Sequence, residues 1–447
     1  MMEDAFWPVL MLIGLMGGIF AGYPVAFVLA GIGICFAVLA GVPMLFLSTT
    51  VSRMYSGILT NWLLIAIPLF VFMGLMLERS GIAERLLKSL ASIFRGLPGG
   101  YGFAVAVIGV IMAASTGIIG ASVVLMGMMA LPTMLQNNYD PKISSGLIAA
   151  SGTLGILIPP SIMLIVLGDQ LRVSVGDLFM AAVGPGLLLG GLYIGYLLLV
   201  AIFQPHRMPP AAVAEHKPFW SAVASLALDL LAPVVLIVSV LGTIVAGIAT
   251  PTESAAIGAL GAMFLALVSR KLDWKTLSSA LRDTTKTTAM IIFVMMGATV
   301  FSVVFRKLGG DALIADAFAI HDGNPYVVFI MIMALVFVLG FFLEWVEITL
   351  VVVPIVAPVV AALDFGLPPE QVLIWFAIAL AVNLQTSFLT PPFGYALFYL
   401  RGIAPKGVTI GMIYRGVIPF VVLQILALAS VIAWPQIALY IPNALAR

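Results

Sequence analysis

The sequence predicts an all-α polytopic membrane protein of two inverted-topology repeats, each with a re-entrant helical hairpin and a discontinuous helix. Three observations predict it. Of 447 residues, 63% are hydrophobic and 9% charged, against about 25% charged in an average soluble domain. Two long apolar segments are interrupted midway by polar or acidic residues. Two proline pairs, Pro159-Pro160 and Pro391-Pro392, then break the next apolar segment in each half. A net charge of +1 leaves no basic face for nucleic acid. The single cysteine, Cys35, excludes an internal disulfide and a Cys-based metal site. The acidic start, Met1-Met2-Glu3-Asp4, runs directly into apolar sequence and reads as a first helix rather than a cleaved signal.

The first repeat is expected over 1–203. Helices are predicted at about 5–22 and 24–40, separated by Gly22-Tyr23-Pro24, with a loop after them holding Ser48, Thr49, Thr50 and Arg53. A third span covers 58–78. The arm at 81–97 alternates Leu86, Leu87, Leu90 and Ile93 with Arg85 and Lys88, which predicts a helix lying in the membrane interface. The segment 99–136 has two arms too short for full spans, joined at Ser115-Thr116-Gly117-Ile118-Ile119-Gly120-Ala121-Ser122. That is the pattern of a re-entrant hairpin, whose non-helical tip must be surrounded by protein or a water-filled cavity. A broken helix follows over 141–171, interrupted between Ser151 and Ser161 by prolines that lack a backbone donor. A span at about 177–203 closes the repeat.

A polar linker with four prolines, 204–218, leads to the second repeat, 219–447. Spans are predicted at 220–248, 252–269 and 284–305, with a separate amphipathic stretch at 274–285 and another interfacial piece at 311–318. A second hairpin covers 325–363, its tip at Phe342-Leu343-Glu344-Trp345-Val346-Glu347. A second broken helix covers 370–402, interrupted at 383–392, and a last helix 410–433. Hairpin, broken helix and spanning helix thus recur in the same order. If the first hairpin opens to the cytoplasm and the second to the opposite side, fifteen of the 20 Lys and Arg residues fall on the cytoplasmic side. Only Arg53, Arg172, Arg306, Lys307 and Arg447 fall outside. This positive-inside bias requires inverted halves and a periplasmic N-terminus.

Deep polar groups cluster at the tips and breaks. Each break offers carbonyls from one half-helix to a desolvated sodium ion, and amides from the other to a carboxylate. Ser115, Thr116, Ser122, Ser151 and Thr153 serve the first half on this reading; Asn383, Thr386, Ser387 and Thr390 serve the second. The competing reading is helix packing, for which small residues are also common. Glu344 and Glu347 fit either an ion site or a solvated turn. Asp229 reads as a structural hydrogen bonder and Glu253, after Thr250-Pro251-Thr252, as a capping residue. The 23 methionines and the aromatics read as lipid-facing or core-filling. No phosphate loop is present, so ATP is not expected to drive the chain, and the three histidines have no partner cluster. No Ser/His/Asp set or paired Asp suggests an enzyme.

The motifs Ala149-Ala150-Ser151-Gly152-Thr153-Leu154-Gly155-Ile156-Leu157-Ile158-Pro159-Pro160-Ser161, with Val175-Gly176-Asp177-Leu178-Phe179, and Asn383-Leu384-Gln385-Thr386-Ser387-Phe388-Leu389-Thr390-Pro391-Pro392-Phe393-Gly394 carry a resemblance. In them, the sequence resembles the large membrane subunit of tripartite ATP-independent periplasmic (TRAP) transporters over essentially the whole chain. Gly22-Tyr23-Pro24 and Ile67-Pro68-Leu69-Phe70 fit as well. The resemblance implies an elevator-type fold of scaffold and transport domain in the bacterial inner membrane, and sodium symport of a small organic acid, mostly carboxylates, without ATP. It implies two partners besides lipid: a small four-helix membrane subunit and a periplasmic substrate-binding protein. It implies one sodium site at Ser115, Thr116, Gly117, Ser151 and Gly152, and a second at Glu344, Glu347, Asn383, Thr386 and Ser387. The substrate is expected at Ser122, Thr153, Pro159, Pro160, Trp345, Thr390, Pro391 and Pro392. The second tip, Glu344-Trp345-Val346-Glu347, is bulkier and more acidic than in many relatives, so Trp345 is a candidate for shaping specificity. Inverted halves also build channel-like pores, and a pore remains the alternative.

Overall fold

The computed structural model describes residues 2–116, 119–210, 219–319, 324–392 and 394–445, and the described residues are helical with no strand. The first repeat holds α1 (Met2–Phe20), α2 (Val25–Leu39), α3 (Met44–Met54), α4 (Ala66–Arg79), α5 (Ile82–Ile93), α6 (Gly100–Thr116), α7 (Ile119–Gln136), α8 (Pro141–Thr153), α9 (Ile162–Leu171) and α10 (Val175–Phe203). The second holds α11 (Phe219–Val245), α12 (Pro251–Val268), α13 (Trp274–Lys307), α14 (Gly310–Ala319), α15 (Pro325–Leu339), α16 (Trp345–Glu347), α17 (Val353–Ala362), α18 (Pro369–Leu389), α19 (Tyr395–Ile403), α20 (Ile410–Ala433) and α21 (Gln436–Leu445). A π turn, Ile348–Val352, joins α16 to α17 as one continuous run. Nine helical stretches among the described residues are long and apolar enough to cross a bilayer.

Both hairpins return to the side they enter from. The Gly99 N–H donates to Met208 O and the Asp140 N–H to Arg207 O, so the two ends of the α6–α7 hairpin meet at one place. Arg207 also pairs with the Asp140 carboxylate at 2.7 Å, while Asp140 caps α8 through the Lys142 N–H. At the mouth of the α15–α17 hairpin, the rings of Tyr326 and Phe365 touch edge to face at 5.3 Å and both pack on Trp375. Five crossings lie between the hairpins: α8 with α9, then α10, α11, α12 and α13. Five is odd, so the hairpins enter from opposite faces.

The packing repeats with the sequence. Helix α2 lies against α13 and α4 against α12, pairs that exchange when the halves are swapped. Likewise α9 meets α17 while α19 meets α7, and α8 meets α20 while α18 meets α10. Small residues permit the close approaches, as expected between membrane helices. A Cβ on Gly297 would stand 2.4 Å from Ala26 O, and one on Gly146 would stand 2.0 Å from Gly416 O. Helix α18 runs through the middle, 94% buried, with Trp375 stacked on Phe329 at 4.5 Å. Several charges near the helix ends are paired. Arg79 binds Asp283, and Arg85 and Ser89 both bind Asp229, making that buried-edge aspartate structural. Thr250 and Glu253 form a reciprocal capping box. The backbone N–H and side chain of Thr276 hold the Asp273 carboxyl below its usual range at the start of α13.

Four expectations are corrected. The stretch with Ser48, Thr49, Thr50 and Arg53 is helix α3, not a loop: Ser48 and Thr49 satisfy their hydroxyls on Leu45 O and Phe46 O inside the helix. The amphipathic stretch 274–285 and the span 284–305 form one continuous helix, α13, because no Gly or Pro separates them. The second break does not begin at Asn383: α18 stays helical to Leu389, and the interruption is confined to the residues between it and Tyr395. Thr386 and Ser387 return their hydroxyls to Val382 O and Leu384 O, so they need no unwound backbone. Helix α21, beyond the last expected span, packs on α10, where a Cβ on Gly184 would meet Ile437 O at 2.2 Å.

Candidate functional site

The first break begins where α8 ends at Thr153. A 3-10 turn, Leu154–Ile156, follows, then Pro159 and Pro160 joined by a cis bond, and α9 starts at Ile162. Ser161 occupies the N-cap of α9 in extended backbone but donates its hydroxyl backwards to Ile156 O at 2.6 Å. No side chain therefore caps the first amides of α9. The second break is built alike: Pro391-Pro392 is also cis, and Gly394 at the N-cap of α19 has no side chain to offer. A Cβ on Gly394 would stand 2.5 Å from Phe388 O, so the turn requires glycine there.

The hairpin tips close on these breaks. Gly120, in the first turn of α7, lies against the Tyr399 ring of α19, with only 2.9 Å available for a Cβ. Gly340, at the end of α15, lies against Ser387. Tyr395 donates its hydroxyl to Phe342 O in the second tip. Glu344 occupies the N-cap of α16 without a side-chain cap bond. Glu347 is buried, and its Oε2 has no hydrogen-bond partner among the described residues.

Tips and breaks surround a cavity of about 410 Å³, inside the range of small-molecule sites. The first tip contributes Ile119, Gly120, Ala121 and Val124, and the first break Ile162. The second tip contributes Glu344, Trp345 and Val346, and the second break Phe388, Tyr395 and Tyr399. The last wall is α13, through Thr287, Met290 and Ile291. Four helical runs start at this cavity: α7 at Ile119, α9 at Ile162, the Trp345–Ala362 run, and α19 at Tyr395. Their aligned peptide dipoles favour an anion, and no side chain caps the first amides of α9, α19 or the run from Trp345.

Of the residues singled out from the sequence for substrate, Trp345 lines the cavity. Ser122, Thr153, Pro159, Pro160, Thr390, Pro391 and Pro392 do not. Glu344, singled out for an ion, does line it. Gly117 lies outside the described residues, and Ser115 and Thr116 close α6 at its edge. Ser151 and Gly152 are buried on α8, facing Gly109 and Val123 of the first hairpin. The Ser151 hydroxyl has no partner among the described residues. Asn383 donates to Met333 O at 2.7 Å, tying α18 to α15. Thr153 is fully buried in a polar group that sequence reasoning missed. Its hydroxyl donates to Ala150 O and accepts from the Gln385 and Gln424 amides, at 3.3 and 3.4 Å. Gln424 also donates to the Tyr193 hydroxyl at 2.8 Å. A glutamine inside an otherwise apolar span, as at Gln424, was the available signal. Tyr395 and Tyr399, one turn apart just after the proline pair, were the other.

Re-entrant tips, interrupted helices and the cavity they form against a long helix define a polytopic membrane transport protein. Residues 12–437 match the family described as the tripartite ATP-independent periplasmic transporter, DctM component, and the chain belongs to that family. Its members are transport permeases, not enzymes. The chain is 30% identical to the sialic acid TRAP transporter large permease protein SiaM of Vibrio cholerae, over 96% of this chain and 97% of that one. It is 31% identical to the C4-dicarboxylate TRAP transporter large permease protein DctM of Pseudomonas aeruginosa, over 86% and 87%. The fold is similar to that of the Alcanivorax borkumensis YdaH transporter, with a TM-score of 0.57 at 17% identity, covering 89% of this chain and 88% of that one.

Proposed function

We propose that this chain is the large permease of a sodium-coupled TRAP transporter, taking up a small organic carboxylate across the bacterial inner membrane by elevator movement. One observation carries the reading: a half-open cavity of about 410 Å³ at which four helical runs start, walled on one side by the tips and breaks and on the other by α13. The first amides of these helices receive the carboxylate. A small four-helix membrane subunit and a periplasmic binding protein complete the system, as the word tripartite in the family description supports. The N-terminus faces the periplasm on this reading, which the basic rim supports.

Sodium fits the residues at hand. The buried Ser151 hydroxyl and Glu347 Oε2 lack partners among the described residues, and oxygen ligands of this kind suit a hard monovalent cation. Ser115, Thr116, Ser151 and Gly152 would hold one ion. Glu344, Glu347, Asn383, Thr386 and Ser387 would hold the other. Bound sodium supplies positive charge beside the carboxylate and the energy of its gradient. The channel-like alternative gains no support, since α18, at the centre, is buried in apolar packing rather than lining a conduit.

Reconstitution tests the proposal. Vesicles holding the chain and its membrane partner, supplied with binding protein and substrate, take up substrate only under an inward sodium gradient. Ser151→Ala and Glu347→Gln each weaken the sodium dependence by roughly tenfold, the effect of losing one charge-assisted ligand. Uptake that persists after the gradient is collapsed overturns the reading.

A further inference from the structure

Resting on the transport reading above, we propose that the cavity selects a monocarboxylate with an aromatic or branched apolar body, and rejects dicarboxylates and polyhydroxylated acids. The chemistry of the wall carries this. Trp345, Phe388, Tyr395 and Tyr399 present four rings to the cavity, and Met290 and Ile291 of α13 face them. Phe388 and Tyr395 stand edge to face at 6.0 Å and 85°, forming an apolar corner. Rings and branched chains fill such corners with large, rigid contact area.

The polar side is sparse and of one sign. No Lys, Arg or His lines the cavity among the described residues, and its one charged side chain is Glu344. A single carboxylate is met by the converging helix starts. A second carboxylate has no Lys, Arg or His on the wall to meet it, so it would lose water without gaining a counter-charge. Hydroxyl-rich acids fare little better. The Tyr395 hydroxyl is already committed to Phe342 O at 3.1 Å. Thr287 and Tyr399 are then the remaining neutral side-chain hydroxyls on the wall. Each substrate hydroxyl stripped of water without a partner lowers affinity by about tenfold or more. The sialic acid and C4-dicarboxylate of the relatives' names are therefore poor fits to this wall, although the shared helix starts suit the carboxyl group of any of them.

Displacement of tritiated phenylacetate from the purified complex with its membrane subunit, in sodium buffer, tests the proposal without the delivery protein. Phenylacetate and 4-methyl-2-oxopentanoate bind at least about tenfold tighter than succinate or N-acetylneuraminate. Trp345→Ala and Tyr399→Ala each weaken phenylacetate by about tenfold, and Trp345→Phe restores most of the loss. Tyr399 is 42% exposed, so its replacement is readable even where Trp345→Ala folds poorly. Succinate or N-acetylneuraminate binding as tightly as phenylacetate overturns the selectivity while leaving the transport reading intact. Unchanged phenylacetate affinity in both alanine variants overturns it too. Failure of every acid to bind, with sodium present, removes both.

Discussion

At Thr153 one hydroxyl accepts from two glutamine amides while donating to its own helix. Counting back six residues from the first proline of each pair lands on Thr153 and on Gln385. Residues at equivalent positions of the two repeats therefore touch each other, which happens only beside the axis relating the halves. Gln424 adds α20 to the junction and Tyr193 adds α10, so one polar group registers both broken helices against both spans that brace them. Thr153→Val preserves shape and removes the shared acceptor, leaving two buried amides short of a partner. The expected loss is about 1–3 kcal/mol, read as a lowered melting temperature of the detergent-purified protein, while Thr153→Ser stays close to the parent. Equal stability of the valine variant would show that the amides find other acceptors. This group was hard to read from the sequence. A lone threonine beside a proline motif suggests a ligand, and two glutamines some 40 residues apart give no sign that they meet.

At the scale of elements, each hairpin is seated on its neighbouring broken helix through a glycine. A Cβ on Gly109 would stand 2.4 Å from the Ser151 Cβ, and one on Gly340 would stand 2.2 Å from the Ser387 hydroxyl. Gly340→Ala therefore pushes α15 from α18 and costs about 1–3 kcal/mol by overpacking. Ser387→Gly in the same chain removes the obstructing atoms and returns part of that stability. The double variant thus departs from additivity, as contacting residues do, and thermal unfolding of the single and double variants measures it. Additive losses would mean that the two helices do not meet there. These hairpins were legible beforehand because re-entrant turns must concentrate Gly, Ser and short apolar arms. The breaks were legible because paired prolines cannot continue a helix. Their edges were not. Thr386, Ser387 and Thr390 return their hydroxyls to helix carbonyls one turn back, so a polar run that reads as a break stays helical. The same back-bonding turned the expected loop after α2 into helix α3.

For the whole molecule, the proposed elevator reading takes the exchanged pairs α2·α13 and α4·α12 as its scaffold. The hairpins, broken helices, α10 and α20 form a second packed body against it. Elevator transport requires the second body to slide past the first as a unit, so contacts between them must break in each cycle. One such contact is specific: Asn61, in the turn leading into α4, donates to the Asp169 carboxylate of α9 at 2.6 Å. Asn61 is additionally tied to its own segment through Gly57 O and Leu63 N, so on the proposed elevator reading it would stay with the scaffold while Asp169 moves with the first broken helix. Replacing both by cysteine in a Cys35→Ser background allows a short, reducible methanethiosulfonate cross-linker to join the two bodies in this one arrangement. Cross-linked vesicles lose uptake to background, reductant restores it, and each single-cysteine protein is indifferent to the reagent. Full uptake after complete cross-linking would mean that Asn61 and Asp169 move together, and the boundary between the fixed and sliding bodies would have to be drawn elsewhere.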